Sequence, residues 1–454
     1  MEELATAVNG GNGYSGKYFL LTRDLTSEDD TIRTVIGNST VNVFRGTFDG
    51  GGHEVAVNIN VTSVTSDTYR YGAYYVCAGV FGCIAGTIKN LGVSGSVSAS
   101  NPSAVYAHAG GIVAFVELNA LGSISMCYNA ASVSSSSTAY TFSGGICSYV
   151  QSDNYLQNNI YSISNCYNIG NIISSSAGGS DNAGGIYGAG FASISNCYNK
   201  GSISMTGAWN GAVGGIYGHS IITNLTDSLR VSNCFNVDSV DFSTVLNKDV
   251  VAHSGGISGR NNGGIFSNCY NSGSVSTSVS FPGSSGSGLR GSGSGGIFGG
   301  GAGTYSECYN TGEISASSSF ASGSFNCNDR ATFSGGIGGS LNIGATYSAN
   351  ISNCYNTGNV SSYSSYTYPS PCNGLIKTSS GGICGNVDRG LDGDIFNCYN
   401  TGSIVSSVDN AIPNSKPIFS SGGICGDISQ LPGGHGQRIY NCYNTAVALI
   451  FNKN

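Results

Sequence analysis

Short segments that place a β-branched residue among small polar neighbours recur along the chain. Examples are Gly273-Ser274-Val275-Ser276 and Gly312-Glu313-Ile314-Ser315, each bounded by Gly or Asn. This pattern is typical of β-strands that end in tight turns. One such strand cannot bury a face by itself, but copies stacked about 4.8 Å apart would share a core. The pattern therefore predicts a stack of parallel strands.

Two motifs recur in a fixed order and define a repeat. The first, of the form Ile-Ser-Asn-Cys-Tyr-Asn-Thr-Gly, has its cysteine at Cys127, Cys166, Cys197, Cys234, Cys269, Cys308, Cys354, Cys398 and Cys442. The second, Gly-Gly-Ile, precedes each copy and begins at Gly110, Gly144, Gly184, Gly214, Gly255, Gly295, Gly335, Gly381 and Gly422. Such repeats predict an all-β, single-chain parallel β-solenoid (β-helix) of about ten turns. Whether each repeat makes one turn or two stays open.

The two ends of the chain differ in their predicted structure. Residues 1–60 depart from the repeat and are predicted to form an N-terminal cap, with a short helix from Leu4 to Val8 and a strand around Lys17 to Thr22. Residues 61–454 are assigned to the repeats. The last segment, 444–451, is apolar and carries no Pro or charge run. Because open strand edges promote association, we expect the C-terminal turn either to continue into further sequence of a parent protein or to associate end to end with a partner.

An Asn follows the aromatic residue in every copy of the cysteine motif. These residues are Asn129, Asn168, Asn199, Asn236, Asn271, Asn310, Asn356, Asn400 and Asn444. Stacked Asn amides can form hydrogen bonds along a solenoid axis, and Asn tolerates the left-handed turn conformation. We therefore predict a structural Asn ladder at a corner of each turn. The paired glycines are expected where the backbone turns or approaches a neighbour too closely for a Cβ.

This pair of motifs resembles the GLUG repeat family, and the resemblance covers most of the chain. Phe44-Arg45-Gly46-Thr47-Phe48-Asp49-Gly50 is also similar to the segment that often leads into such repeats. The departures are small: Met126 and Glu307 replace the first Asn of the motif, and Phe235 replaces Tyr. The resemblance implies a secreted or surface-anchored bacterial protein. Some members are adhesins, and some immunoglobulin A proteases carry the repeat outside their catalytic domain.

Composition narrows the choice of protein class. Charged residues make up only 9% of the chain, while 27 Tyr and 18 Phe are present, which excludes a disordered chain. The net charge of −7 is spread thinly, so no nucleic-acid partner is expected. No apolar run is long enough for membrane insertion.

The start, Met1-Glu2-Glu3-Leu4, is not that of a signal peptide. A fragment or mature form of an extracellular or cell-surface protein is expected, with a cytosolic protein as the alternative.

The 16 cysteines are expected to be mostly buried free thiols. The nine motif cysteines share one register, as do Cys147, Cys384 and Cys425, and neighbours about 4.8 Å apart are too distant for a relaxed disulfide. Cys327 and Cys372 stand apart, because they occupy similar places in long insertions of adjacent repeats. We predict a disulfide between them, with two free thiols as the alternative. Cys and His spacing predicts no metal site.

The sequence offers no convincing catalytic group. His53-Glu54 begins a zinc-protease pattern, but Val57 stands where the second His is required. The densest acidic segments are Glu28-Asp29-Asp30 and 388–394, and the second could bind Ca²⁺ or form an ordinary exposed turn. A polysaccharide-active solenoid would need clustered carboxylates on one face. The prediction is therefore that the chain is not an enzyme and needs no cofactor.

Tyrosines in one insertion give the best indication of ligand binding. Tyr363, Tyr366 and Tyr368 lie close together just before Cys372, outside the repeat motif. Exposed Tyr can contact sugar rings or anchor a protein interface, although a plain strand with outward Tyr is the alternative. The segment from the motif Asn to the next Gly-Gly also lengthens along the chain, from 15–19 to 22–25 residues.

These observations favour a surface or extracellular stalk or adhesin that binds a glycan or a host or cell-surface protein. Insertions in a solenoid collect on one face, which is often the binding face. A self-assembling filament subunit and a polysaccharide-active enzyme are the alternatives.

Overall fold

The computed structural model describes residues 1–64, 74–118, 120–151, 160–207, 210–220, 229–245, 251–282, 290–321, 330–341, 349–367, 376–387, 393–410, 417–428 and 438–453. These residues form two compact units. Unit 1 contains Met1–Ser204 and Ile216–Cys234, and unit 2 contains Met205–Gly215 and Phe235–Asn454. Each unit is a parallel β-solenoid, so the predicted fold class is confirmed.

Each repeat makes a single turn. In unit 1, Tyr128 and Asn129 pair in parallel with Tyr167 and Asn168 of the following repeat. In unit 2, Tyr355 pairs in the same way with Tyr399. A repeat that wound twice would pair its own two halves before meeting the next copy. The question left open by the sequence is therefore settled in favour of one turn per repeat.

Three sheets build each unit. The first sheet leads into Gly-Gly-Ile, the second lies between Gly-Gly-Ile and the cysteine motif, and the third contains Tyr-Asn and the strand after it. In unit 1 the first sheet contains Tyr75–Ala78, Tyr106–Gly110, Tyr140–Gly144 and Asp181–Gly184. The second contains Tyr18–Leu20, Thr47–Asp49, Phe81–Ile84, Thr87–Lys89, Val113–Val116, Ser123–Ser125, Cys147–Val150, Tyr161–Ser164, Tyr187–Gly190, Ala192–Ser195, Tyr217–Ser220 and Arg230–Ser232. The third contains Glu54–Val61, Gly92–Ser100, Tyr128–Asn129, Ser132–Ser137, Tyr167–Asn168, Ile172–Ser176, Tyr198–Asn199 and Ile203–Thr206, the last of which crosses the unit boundary.

The same three sheets recur in unit 2. The first contains Ala212–Gly214, Val251–Gly255, Arg290–Gly295, Arg330–Gly335, Ile376–Gly381 and Pro417–Gly422. The second contains Ser258–Ser267, Phe298–Ser306, Gly338–Leu341, Ala349–Ser352, Cys384–Val387, Asp394–Phe396, Cys425–Ile428 and Arg438–Tyr440. The third contains Phe235–Asn236, Val240–Val245, Tyr270–Asn271, Val275–Phe281, Tyr309–Asn310, Ile314–Ala321, Tyr355–Asn356, Val360–Thr367, Tyr399–Asn400, Ile404–Asn410, Tyr443–Asn444 and Ala448–Lys453.

The N-terminal segment contains the predicted helix and strand. The helix spans Glu2–Asn9 and buries Ala5 and Val8. Its last residue, Asn9, donates a side-chain hydrogen bond to the Val35 carbonyl and accepts one from the Gly37 amide, both at 2.9 Å. These contacts hold the helix against the segment that contains Val35 and Gly37. Parallel pairing already begins with the three-residue strand Tyr18–Leu20, before residue 61. No helix among the described residues is long and apolar enough to cross a membrane.

The motif Asn residues form the predicted ladder. In unit 1, Asn129 donates its side-chain amide to Oδ1 of Asn168 at 2.7 Å, and both side chains are buried. In unit 2 the ladder runs through Asn236, Asn271, Asn310, Asn356, Asn400 and Asn444 at 2.7–2.8 Å. Each amide also donates to the carbonyl two residues further along its own chain. The ladder therefore satisfies buried polar groups and fixes the register between turns.

The second Gly of Gly-Gly-Ile packs directly against this ladder. A Cβ placed on Gly336 would lie 2.3 Å from Cγ of Asn356, and one on Gly296 would lie 2.4 Å from Cγ of Asn310. Only a residue without a side chain leaves room for the amide. The two motifs are therefore two sides of one contact, which explains why they recur together.

A different Asn adopts the left-handed conformation. The residue before the motif cysteine has positive φ, for example 53° at Asn353 and 54° at Asn397. The ladder Asn, which follows the aromatic residue, does not have a positive φ. Met126 and Glu307, which replace this first Asn, keep φ at 53° and 56°. The sequence-based assignment of the left-handed turn to the ladder Asn is therefore wrong.

Buried thiols and hydroxyls fill the interior next to the ladder. Among the described cysteines none is in a disulfide, and of the nine in the motif only Cys442 is partly exposed. The first sheet is buried on both faces in unit 1. Thr141 Oγ1 lies 2.7 Å from the Ser174 hydroxyl of the third sheet, while Phe142 packs on Tyr149 of the second with ring centroids 4.9 Å apart. The interior is thus polar on one side of this sheet and aromatic on the other.

Candidate functional surfaces

The predicted tyrosine cluster is divided between the surface and the core. Tyr363 is 37% exposed, and its hydroxyl donates to Oδ2 of Asp409 at 2.7 Å. Tyr366 is only 2% exposed, and its ring stacks on Phe320 at a centroid distance of 5.0 Å. Tyr368 lies outside the described residues. Because Tyr366 is enclosed in the core, it cannot contact a ligand as expected, and Tyr363 is the described member that remains available.

The other predicted sites are only partly placed by the structure. Cys327 and Cys372 lie outside the described residues, so the disulfide between them stays a prediction. Residues 388–392 of the second acidic segment are also outside, while Asp394 pairs with Arg438 at 2.7 Å. In the first acidic segment, Asp30 pairs with Arg23 at 2.8 Å. No group of three His, Cys, Asp or Glu side chains in the described ranges is arranged to hold a metal.

His53 lies in an acidic environment rather than in a metal site. Its Nδ1 is 3.0 Å from Oδ1 of Asp24, which also accepts the backbone amide of Glu54. The Glu54 amide and the His53 ring together hold the pKa of Asp24 below its usual value. Glu54 accepts a hydrogen bond of 2.6 Å from the Tyr128 hydroxyl. These contacts join the N-terminal segment to the first motif of unit 1.

The most extended surface feature of unit 2 is a column of motif aromatic rings. Successive centroids of Phe235, Tyr270, Tyr309, Tyr355, Tyr399 and Tyr443 are 4.8–5.2 Å apart, and neighbouring planes differ by 1–7°. The faces of the inner rings are covered by their neighbours. Their edges and hydroxyl groups are partly exposed, and the five Tyr hydroxyls have no hydrogen-bond partner within the described part of the chain. The column therefore presents a row of free phenol groups.

Two exposed polar columns lie beside these rings. One is formed by the residue before each motif cysteine: Asn268, Glu307, Asn353, Asn397 and Asn441. The other follows the ladder Asn: Ser272, Thr311, Thr357, Thr401 and Thr445. Adjacent members of the first column can bond to each other, as Asn397 does to Asn353 at 3.1 Å. We call the three columns the motif strip. Glu307 is its only charged member.

The pKa values of two strip tyrosines, Tyr270 and Tyr355, are raised. Burial raises the pKa of Tyr355, and the adjacent Tyr309 and Tyr399 raise it further because a phenolate would be repelled by a second one. Burial and Tyr309 act in the same way on the pKa of Tyr270. Neutral phenols can both donate and accept hydrogen bonds. Apart from Glu307, the motif strip is thus an array of hydroxyl and amide groups, with aromatic rings spaced 4.8–5.2 Å apart.

Sequence reasoning assigned the motif tyrosines to structure alone and did not identify the columns that flank them. The signal was present in the motif, where Asn precedes the cysteine in seven of nine copies and Thr follows the ladder Asn in the last four. Because only the side chains between the buried positions reach solvent, burial of Cys354 and Asn356 leaves Asn353, Tyr355 and Thr357 on the outside. The exposed positions could have been derived from the alternation of the strand.

Comparisons with known proteins give one structural likeness. No protein-family model matches the chain, and no curated protein matches it. The chain is similar to the crystal structure of a putative immunoglobulin A1 protease from Bacteroides ovatus, with 22% identity and a TM-score of 0.41. The match covers 60% of this chain and 73% of the other.

The name of that protein contradicts the prediction that the chain is not an enzyme, and this prediction is withdrawn. The likeness itself is too low to carry an argument about the activity of the present chain.

Proposed function

We propose that the chain is a segment of a secreted or cell-surface protein, related to the GLUG repeat proteins, that binds carbohydrate along the motif strip of unit 2. One observation carries the proposal: five Tyr rings with free hydroxyls stand in a row, with ring centroids at intervals of 4.8–5.2 Å, flanked mainly by exposed Asn and Thr. Neutral hydroxyl and amide groups are the natural partners of sugar hydroxyls.

The spacing favours a linear polymer over an isolated sugar. An extended β-linked polysaccharide advances by a comparable length per residue, so successive sugars can meet successive turns. Each single contact is weak, because an exposed hydrogen bond replaces one made to water. Several contacts on one polymer act together, since the later ones form at a high effective concentration. Binding is therefore expected to depend on polymer length.

Recognition in this arrangement does not use the ring faces. Faces of Tyr309, Tyr355 and Tyr399 are covered by neighbouring rings, so a sugar cannot stack on them. Hydroxyl groups and ring edges remain available. This differs from the ring stacking that was considered for the Tyr363 insertion, and it makes the hydroxyl groups the decisive atoms.

Removing only the hydroxyls tests the proposal. Phe235 occupies the same column and stacks on Tyr270 at 4.8 Å, so a Phe is tolerated there. The triple variant Tyr309→Phe, Tyr355→Phe, Tyr399→Phe should melt like the wild type. On an array of polysaccharides it should lose the signal that the wild type shows. The control is Tyr74→Ala, an exposed tyrosine outside the strip at 49% exposure.

A second variant distinguishes the strip from the predicted insertion. Tyr363 is exposed on the third sheet and can be replaced by Ala without disturbing the stack. Loss of binding in Tyr363→Ala, with normal binding in the triple variant, would assign the ligand to the insertion instead. A wild-type chain that binds none of the polysaccharides would refute the proposal for both surfaces.

A further inference from the structure

A cleft of about 390 Å³ lies in unit 1. Three successive turns pass it at Gly46, Gly86 and Gly122. A Cβ on Gly86 would lie 2.0 Å from the Gly46 carbonyl oxygen, and one on Gly122 would lie 1.8 Å from that of Gly86. Because these three residues have no side chain, the backbones of neighbouring turns lie close together at this point. The cleft lies beside them. A volume of this size is typical of small-molecule sites, which span roughly 300–1,000 Å³.

An ion pair and three hydroxyl groups provide the polar lining. Nη1 of Arg45 lies 2.7 Å from Oε2 of Glu117, and the side chains are 43% and 28% exposed. Ser15, Thr47 and Thr87 contribute hydroxyl groups to the lining. Within the described residues, none of these five side chains makes another hydrogen bond. Several guanidinium N–H groups, one carboxylate oxygen and three hydroxyls thus remain for a ligand.

The cleft also has an apolar part. Leu118, Ala120 and Leu121 line it, and Leu121 is 80% exposed. A ligand that fits must present apolar C–H groups on one side and several hydrogen-bonding groups on the other. Its net charge is restricted as well. An anion would approach the carboxylate of Glu117 and a cation would approach the guanidinium of Arg45, so the paired charges favour a neutral molecule.

From this arrangement we infer that the cleft between Arg45 and Glu117 is a binding site for a neutral saccharide ring. Adjacent ring hydroxyls can bridge the guanidinium and the carboxylate, because each group offers two hydrogen-bonding atoms in one plane. The C–H face of the ring then lies towards Leu118 and Leu121. The site shares no residue with the motif strip.

Saturation-transfer NMR on the full chain tests the inference directly. The probes are glucose, galactose, mannose, N-acetylglucosamine and the anionic glucuronate. At least one neutral sugar should receive saturation, and glucuronate should bind more weakly than glucose. In Glu117→Gln, the affinity for that sugar should fall at least tenfold, while Glu3→Gln, an exposed helix residue, should bind like the wild type.

The variant Leu121→Asp provides a second test of the inference, which does not depend on the ion pair. Its position is so exposed that the variant should fold normally, but the new charge at the cleft should weaken binding of the neutral sugar. The inference is overturned if no neutral sugar receives saturation, if glucuronate binds more tightly, or if both variants bind like the wild type. The triple Tyr→Phe variant should keep this binding, which separates failure here from failure of the motif strip.

Discussion

The side-chain amide of Asn356 donates a hydrogen bond of 2.7 Å to Oδ1 of Asn400 in the next turn, and it accepts one of 2.8 Å from Asn310 in the turn before. The same amide donates to the Gly358 carbonyl at 2.7 Å. One buried residue thus joins three turns. We therefore expect the ladder to contribute to the stability of unit 2.

Replacing Asn356 by Ala should lower the free energy of unfolding by about 1–3 kcal/mol, because it leaves buried donors and acceptors without partners. Thermal or urea unfolding would measure the loss. The control is Thr357→Ala, the exposed neighbour on the strip. Equal stability of the two variants would show that the hydrogen bonds of the ladder do not stabilise the fold.

Asn, the usual residue before the motif cysteine, should be more stable than Glu at position 307. Glu307 holds φ at 56°, where a Glu is strained and Asn is better tolerated. Glu307→Asn should therefore raise the free energy of unfolding by up to about 1 kcal/mol. The matched change Glu313→Asn, outside the left-handed position, should have a smaller effect. A stability that falls in Glu307→Asn would show that the charge contributes more than the backbone strain.

The cysteines should divide into slow and fast classes when labelled with a thiol reagent. Eight motif cysteines are buried, whereas Cys442 is partly exposed and should react first. Peptide mapping without reductant should recover Cys327 joined to Cys372. Recovery of both as free thiols would disprove that pair, and rapid native labelling of Cys308 or Cys354 would disprove the buried column.

Asp181 should make stability depend on pH. It is fully buried beside Thr141, its Oδ2 has no partner among the described residues, and burial raises its pKa to about 7. The folded state therefore holds the proton more tightly than the unfolded chain, whose pKa is near 4. The stabilising contribution is complete below about pH 4 and is lost as the pH rises through 7.

Asp181→Asn should remove this dependence. Between pH 4 and pH 8, the free energy of unfolding of the variant should rise by up to roughly 4 kcal/mol relative to that of the wild type. This figure follows from the difference between the pKa values of Asp181 in the folded and the unfolded state. Burial lowers the pKa of His108 and His253 to about 3, so these residues destabilise the fold at low pH in both proteins. Their effect cancels in the difference, and a difference that does not vary with pH would contradict the prediction.

The last described strand, Ala448–Lys453, should favour association. It pairs with Ile404–Asn410, and Leu449, Ile450 and Phe451 are 42–51% exposed. Exposed apolar strands promote edge-to-edge contacts, and Lys blocks them. Light scattering should show concentration-dependent association that Leu449→Lys reduces. The charge-neutral change Leu449→Val is the control. A wild type that stays monomeric at high concentration would contradict association through this strand.

The solenoid and its ladder could be predicted because equivalent residues repeat, and stacking then brings each residue next to its own copy. Burial of Tyr366 could have been predicted as well. Val360 points inward, so alternation along Val360–Thr367 turns Ser362, Ser364 and Tyr366 inward and Tyr363 outward. Both interpretations of this segment in the sequence analysis, a binding insertion and a plain strand with outward Tyr, instead placed this core residue on the surface.

The cleft could not be predicted from the sequence. Arg45 precedes the first motif and Glu117 follows the first Gly-Gly-Ile, so no local pattern links them. Their contact depends on which turn stacks on which, and that register is set by pairs such as Phe48 with Ile88. Similarly, the sequence could not say which of two motif Asn residues is left-handed, because both occur near turns and both residue positions tolerate Asn.

The most direct test of the proposed function is the dependence of affinity on ligand length. Oligosaccharides of increasing length from the polysaccharide that binds best would be titrated by calorimetry against the wild type and the triple Tyr→Phe variant. If sugars contact successive turns, affinity should rise steeply with length in the wild type and stay flat and weak in the variant. Equal affinity for short and long oligosaccharides, or an identical length dependence in both proteins, would contradict binding along the motif strip.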